Sequence, residues 1–402
     1  MLVLLVLSGL IISLCMGLRQ SMGLFMRPMT VELGISAATF GFAIALQNIV
    51  WGISQPFIGA LADRHGPRPV LIATALVYAA GLLLMMWARS VPGGLQIAGV
   101  LIGIGTAGTG FGVLIGTVSR ATPAHKRSQT VGIVAAAGSL GTMVIAPLGQ
   151  GLINNLGWMT ALAGFAVIAA SMALLSLPIR EQPVAGLAGA GSRLKQNVGE
   201  AVREALGHRG YLSMTVAFFA CGFQLVFITT HLPAYLQLCG VAPGVGATAL
   251  ALIGFFNAIG TYIFGLLGAR YSQKRLLAMI YLLRTLFIIG FLLVPITATS
   301  TLVFAAAMGL LWLGVAPLVT GIVGRIFGLS HFNTLYGIAF LSHQVGSFFG
   351  AWMGGVVFDR TGSYNLAWGA LIVIGVAAFL LQWLMDETPP RSRAVSPAGA
   401  PA

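Results

Sequence analysis

Twelve apolar runs, separated by short polar punctuation, dominate this chain. They lie near residues 3–26, 38–61, 70–88, 94–117, 129–153, 159–178, 210–236, 246–268, 276–297, 301–327, 334–357 and 364–385. About 20 apolar residues in a helix cross a hydrocarbon core. Inside that core every backbone N–H and C=O needs a partner within the protein, so such runs fold as helices. Charge points the same way. Only 7% of the 402 residues are charged and 58% are hydrophobic, whereas a soluble domain carries roughly 25% charged residues. So few ionic groups cannot cover a water-facing surface of this size. The 54 glycines suit helices that pack closely with no hydrophobic drive between them. The sequence therefore predicts an all-α membrane protein with twelve transmembrane helices.

The basic residues give an independent test through the positive-inside bias. With both termini cytoplasmic, sixteen of the 21 Lys and Arg fall on the inner side. Three, Arg27, Arg89 and Arg360, fall outside, and Arg19 and Arg284 remain within spans. A wrong span number would scramble this asymmetry. The net charge of +13 would suggest nucleic acid in a soluble chain, but here the charges flank apolar runs. The expected partner is the lipid bilayer of a bacterial inner membrane, and no nucleic acid. The start at Met1 in apolar sequence predicts a retained first span rather than a cleaved signal peptide.

The halves echo each other at a nearly constant offset. Gly59, Leu61 and Arg64 match Gly265, Leu267 and Arg270, and Cys15 matches Cys221, each pair 206 residues apart. Parallel repeats of this kind place a site near the midplane, where two halves meet and rock. The expected organisation is a six-helix half over 1–178, a cytoplasmic linker over 179–209, a second six-helix half over 210–386 and a disordered tail over 387–402. The linker ends in a basic amphipathic stretch suited to anionic lipid.

The stretch Gly59-Ala-Leu-Ala-Asp63-Arg64-His65-Gly66-Pro67-Arg68, between the second and third spans, resembles the loop signature of the major facilitator superfamily. That resemblance implies a monomeric secondary transporter with the major facilitator fold. It makes Asp63 the acceptor of a cytoplasmic latch, with Arg120 as partner and Gly59, Arg64, Gly66 and Arg68 around it. A purely topogenic loop, in which Arg64 and Arg68 only anchor orientation, is the alternative. Four further stretches, at 17–29, 45–66, 230–240 and 341–364, resemble the bacterial monocarboxylate-transporter-like branch. This implies transport of a small organic anion, with a proton or by exchange.

No carboxylate lies within a span, because all eight acidic residues fall in loops, span ends or the tail. Two arginines do lie within spans. An intramembrane charge costs at least ~2.5–3.5 kcal/mol on insertion scales, so such residues mark function by default. Arg19 either attracts an anionic substrate or reaches the outer interface or nearby carbonyls. Arg284 either attracts substrate or hydrogen-bonds a neighbouring helix. His343 either carries a coupling proton or donates to the substrate, or is a core histidine bound to a carbonyl. Gln224 and Asn257, with Gln47, Asn48 and Gln55, are polar candidates for ligand contact or interhelical bonding. His231, near the outer end of the seventh span, reads as a gate or structural residue.

Some signals carry no chemistry. Gly103 to Gly108 matches GxGxxG but lies inside an apolar run, not after a strand. The three cysteines form no CxxC and no His/Cys cluster. No Walker motif appears, so energy must come from gradients. No enzyme activity, cofactor or metal is expected. The rival reading is an exporter of neutral drugs or metabolites.

Overall fold

The computed structural model describes residues 2–88, 93–122, 127–179, 198–327 and 332–388. Arg89, Lys126, Arg180, Glu181, Arg193, Lys195 and the tail from 389 onward lie outside the described residues.

The first half contains α1 (Leu2–Gln20), a 3-10 turn (Met22–Phe25), α2 (Met26–Leu33), α3 (Ala37–His65), α4 (Pro67–Met86), α5 (Gly94–Thr109), α6 (Phe111–Ala121) and α7 (Arg127–Ser176). A short α8 (Val198–Gly207) leads into α9 (Arg209–Leu238), α10 (Pro243–Arg270), α11 (Gln273–Leu293), α12 (Ala298–Leu310), α13 (Val315–Phe327), α14 (Phe332–Thr361) and α15 (Asn365–Trp383). Among the described residues ten helical segments are long and apolar enough to cross a membrane. One of these, Gly132–Ser176, is 45 residues long and turns at Gly157, whose φ of 81° and ψ of 163° are non-helical. A positive φ of that kind suits glycine, and the turn divides α7 into two crossings. Helix α14, 30 residues long, completes the twelve, its hydropathy diluted by polar residues such as His343 and Gln344.

Two predicted spans are broken rather than continuous. The run at 94–117 divides at Gly110 into α5 and α6, and the run at 301–327 divides across 311–314 into α12 and α13. Neither break has a proline at its centre, so hydropathy alone did not reveal it.

The packing repeats as the sequence does. In the first half α1 lies against α7, α3 against α5, and α4 against α7. In the second half α9 lies against α14, α10 against α12, and α11 against α15. The halves meet along α3 with α14, α7 with α10, and the 3-10 turn with α9. Helices α3 and α14 run antiparallel, since Ala37 meets Gly355 at one end while Gly52 meets Gln344 further along.

Candidate functional site

Arg19 sits in the last turn of α1. Its Nη1 donates to Asn48 Oδ1 at 2.7 Å. Asn48 is itself oriented by donating Nδ2 to Ile44 O at 2.8 Å, one turn back on α3. The guanidinium carbon lies 4.9 Å from the centre of the Trp51 ring, within reach of a cation–π attraction. The Nε is buried without a hydrogen-bond partner among the described residues. Among the described residues no carboxylate lies within 4.0 Å of Arg19. A half-buried guanidinium thus carries its charge against an amide and an aromatic face, with no carboxylate beside it among the described residues.

From Arg19 a column of rings runs into the other half. Trp51 meets Phe340 of α14 edge-on at 5.4 Å, and Phe340 stacks on His343 at 5.7 Å and 7°. His343 also touches Phe218 of α9 at 4.9 Å. The His343 Nδ1 lies 3.3 Å from Gln344 Oε1 and 3.5 Å from Ser347 Oγ, which leaves Nε2 without a hydrogen bond among the described residues. On α3, Gln47, Trp51 and Gln55 recur every fourth residue, so they share one side of the helix. Each has a buried polar atom with no hydrogen-bond partner among the described residues: both amide atoms of Gln47, Nε1 of Trp51 and Oε1 of Gln55. Buried polar groups are nearly always paired, so these four atoms on three residues in one file near Arg19 make this side of α3 a candidate binding wall.

Arg284 is placed differently. It is fully buried, with Nε donating to Leu311 O at 3.1 Å and Nη2 donating to the carbonyls of Leu311 and Trp312. Its Nη1 lies 3.4 Å from Cys221 Sγ. The break between α12 and α13 leaves backbone groups without helical partners, and Arg284 satisfies them. Asn257 serves the same break, accepting from Leu313 N at 2.9 Å while its Nδ2 donates to Ser139 Oγ of α7 at 2.9 Å. Gln224 is fully buried and donates to Leu371 O of α15 at 3.2 Å, on the side away from the first half. Its Oε1 has no partner. The structure brings Arg19, Asn48 and His343 to one aromatic column, commits Arg284 and Gln224 to main-chain carbonyls within the second half, and sets Asn257 across the seam between α10 and α7. His231 bonds Ala351 O at 2.7 Å and reaches Tyr364 Oη at 3.3 Å, tying α9 to α14.

At the far end of α3, Arg120 of α6 donates to Asp63 Oδ1 at 2.7 Å. Both side chains are substantially exposed, and Arg64 and Arg68 point to solvent. Gly66 takes a φ of 88° between α3 and α4, allowing the tight turn. Gly59 makes no close helix approach among the described residues, since nothing lies within 4 Å of where its Cβ would stand. The ion pair lies within one half and leaves the other untouched.

The profile of the Major Facilitator Superfamily matches residues 6–316, and the chain belongs to that family. It is therefore a multi-pass membrane transporter with a small-molecule substrate. It is 26% identical over 371 residues to monocarboxylate transporter 13 of Rattus norvegicus, covering 92% of this chain and 84% of that one. It is 24% identical over 397 residues to the oxalate:formate antiporter of Oxalobacter formigenes, covering 96% and 91%. Among solved structures, the inward open xylose transporter XylE from E. coli superposes with a TM-score of 0.71 at 16% identity, covering 96% of this chain and 95% of that one. At that identity the likeness concerns the fold alone.

The residues that sequence reading missed are aromatic. Trp51 and Phe340 form the column between Arg19 and His343, yet each looks like an ordinary apolar residue of a span. The four-residue recurrence with Gln47 and Gln55 was the available signal.

Proposed function

We propose that this protein carries a small organic monoanion across the membrane by alternating access, driven by a proton or by exchange. The observation that carries this reading is Arg19, a guanidinium without a carboxylate partner, placed where the two halves meet. An anion entering there replaces the missing counter-charge, and the Trp51–Phe340–His343 column offers its apolar body a wall. Arg284 is committed to main-chain carbonyls, so one cation remains for the cargo. That favours a monocarboxylate over a dicarboxylate. The name of monocarboxylate transporter 13 and the formate in that of the oxalate:formate antiporter are consistent with this class, whereas the oxalate in the latter is a dicarboxylate.

His343 is the candidate for the coupling proton, since its Nε2 is free and it stands on the opposite half from Arg19. The positive-inside bias assigns the Asp63 end of α3 to the cytoplasm and the Asp359 end of α14 to the outside. On that assignment the packed end is external.

The test is counterflow of labelled lactate, pyruvate and larger monocarboxylates in proteoliposomes, with Arg19→Ala and Arg19→Lys. The expected result is anion exchange lost by at least tenfold in Arg19→Ala and partly retained in Arg19→Lys, because charge is kept but the fork is not. Neutral solutes crossing at an unchanged rate in Arg19→Ala, with no anion flux in the unaltered protein, would overturn the anion reading in favour of a neutral-solute exporter.

A further inference from the structure

The first turn of α3 is capped from the other half of the molecule. Ser36 accepts from Thr39 N at 3.1 Å, and Phe40 N reaches Ser36 O at 3.3 Å, both local contacts. The two amides between them, Ala37 N and Ala38 N, donate to Asp359, one to each carboxylate oxygen, at 3.0 and 2.8 Å. Asp359 stands in the last turn of α14. A helix start exposes four unpaired N–H groups and partial positive charge. Here two of those four groups are satisfied only while the halves are together.

The backbones are close enough at this end to make that contact. Gly355, one turn before Asp359, lies against Ala37 O, and Gly41 lies against Ala351 O. Gly23 lies against the carbonyls of Thr229 and Thr230 on α9. A side chain at any of these glycines would collide with main chain. Thr230, whose carbonyl meets Gly23 there, is buried. Asp359 itself stays exposed, so when the halves part its carboxylate and the two amides pass directly to water. The contact is therefore reversible, unlike a buried ion pair.

We infer that Asp359 is the gating residue of this end of the transporter: its carboxylate holds α3 and α14 together by capping α3 across the halves, and breaking those two hydrogen bonds accompanies each opening. Asp63 occupies the corresponding place on α3, two residues before the helix ends, but in this state its ion pair with Arg120 stays within one half. The two ends of the α3–α14 seam thus differ by one cross-half carboxylate contact.

The experiment reads opening directly and needs no substrate, so its failure leaves the anion reading untouched. In purified full-length protein with Cys239, the exposed cysteine, replaced by Ser, Thr230→Cys reports whether this end is open. Labelling by a polar maleimide is compared in Asp359→Asn, Asp359→Ala and Ser36→Ala backgrounds. Losing a cap shifts an equilibrium by roughly 2- to 30-fold, so both Asp359 variants should label faster by that order. Ser36→Ala removes a cap within one half and should label at the parent rate. Monodisperse Asp359→Asn protein labelling at the parent rate overturns the proposal. An equal rise in Ser36→Ala also overturns it, since fraying of α3 alone would then explain the exposure.

Discussion

Arg284 and Asn257 serve opposite polarities of one broken helix: Arg284 donates to the carbonyls of Leu311 and Trp312, and Asn257 accepts from the amide of Leu313. They come from different helices, α11 and α10, and converge on a four-residue gap in the tenth span. In hydrocarbon an interrupted helix is tolerated only where neighbours satisfy the freed groups. The repeat-related position to Arg284 is Tyr78, 206 residues earlier, and its hydroxyl also reaches main chain, at Cys15 O. The polar residues at these positions hold interrupted or closely packed helices together in both halves.

From this follows a stability prediction. Arg284→Met leaves two carbonyls without donors, and Asn257→Leu leaves one amide without an acceptor. Each orphaned buried group costs about 1–3 kcal/mol, so Arg284→Met should lower the melting temperature in detergent more than Asn257→Leu does. Thermal unfolding monitored by size-exclusion fluorescence checks the order. Equal and negligible shifts would mean the break is satisfied by other groups.

Arg19 should behave in the opposite sense. Its replacement by Gln removes one hydrogen bond to an amide and a contact with Trp51, and it relieves an uncompensated charge. Melting should change by less than the equivalent of about 1 kcal/mol, while binding of a monocarboxylate falls by tenfold or more. Ligand-induced stabilisation of the two proteins separates fold from affinity.

Gly23 supplies a steric prediction. Its Cα faces the carbonyls of Thr229 and Thr230, so Gly23→Val cannot coexist with the packed end. The variant should favour the state in which this end is apart, read as faster labelling of a cysteine at Thr230. Retention of the parent labelling rate would show that the 3-10 turn moves aside instead.

The final prediction concerns pH. A strap from Met385 to Thr388 crosses the ends of the second half. Lys274 Nζ donates to Met385 O at 2.7 Å, Arg325 pairs with Glu387 at 3.1 Å, and His208 Nε2 lies 2.8 Å from Thr388 O. Hydrogen bonds from Thr388 N and Oγ1 hold the Asp386 carboxyl below its ordinary value. A depressed folded-state value contributes stability that is complete above the unfolded value of about 3.9 and is lost as pH falls through the folded one. Thr388→Val removes only the side-chain bond and should flatten the fall in melting temperature below about pH 4. An unchanged slope would assign that fall to other carboxylates.

The loop motif around Asp63 and the twelve apolar runs were legible because each is a local pattern, whereas Arg120, 57 residues away, was named only through the family resemblance. The breaks at Gly110 and 311–314 were not, since apolar sequence continues through both. His343 and Arg19 were visible as polar residues in spans, whereas Trp51 and Phe340, which join them, were indistinguishable from packing residues.

Hydropathy, charge asymmetry and the 206-residue echo belong to the sequence, and they determined the class, the span number and the paired halves. Arg19 and Arg284 are equivalent to any such reading: each is one arginine in an apolar run with no carboxylate nearby in sequence. Tertiary structure separated them by bringing the carbonyls of the broken tenth span to Arg284 and an amide and an indole to Arg19. Asp359 likewise became a cross-half cap only once α3 and α14 were packed antiparallel. The physical reason is that a charge inside a membrane is defined by what satisfies it, and those partners come from helices distant in sequence.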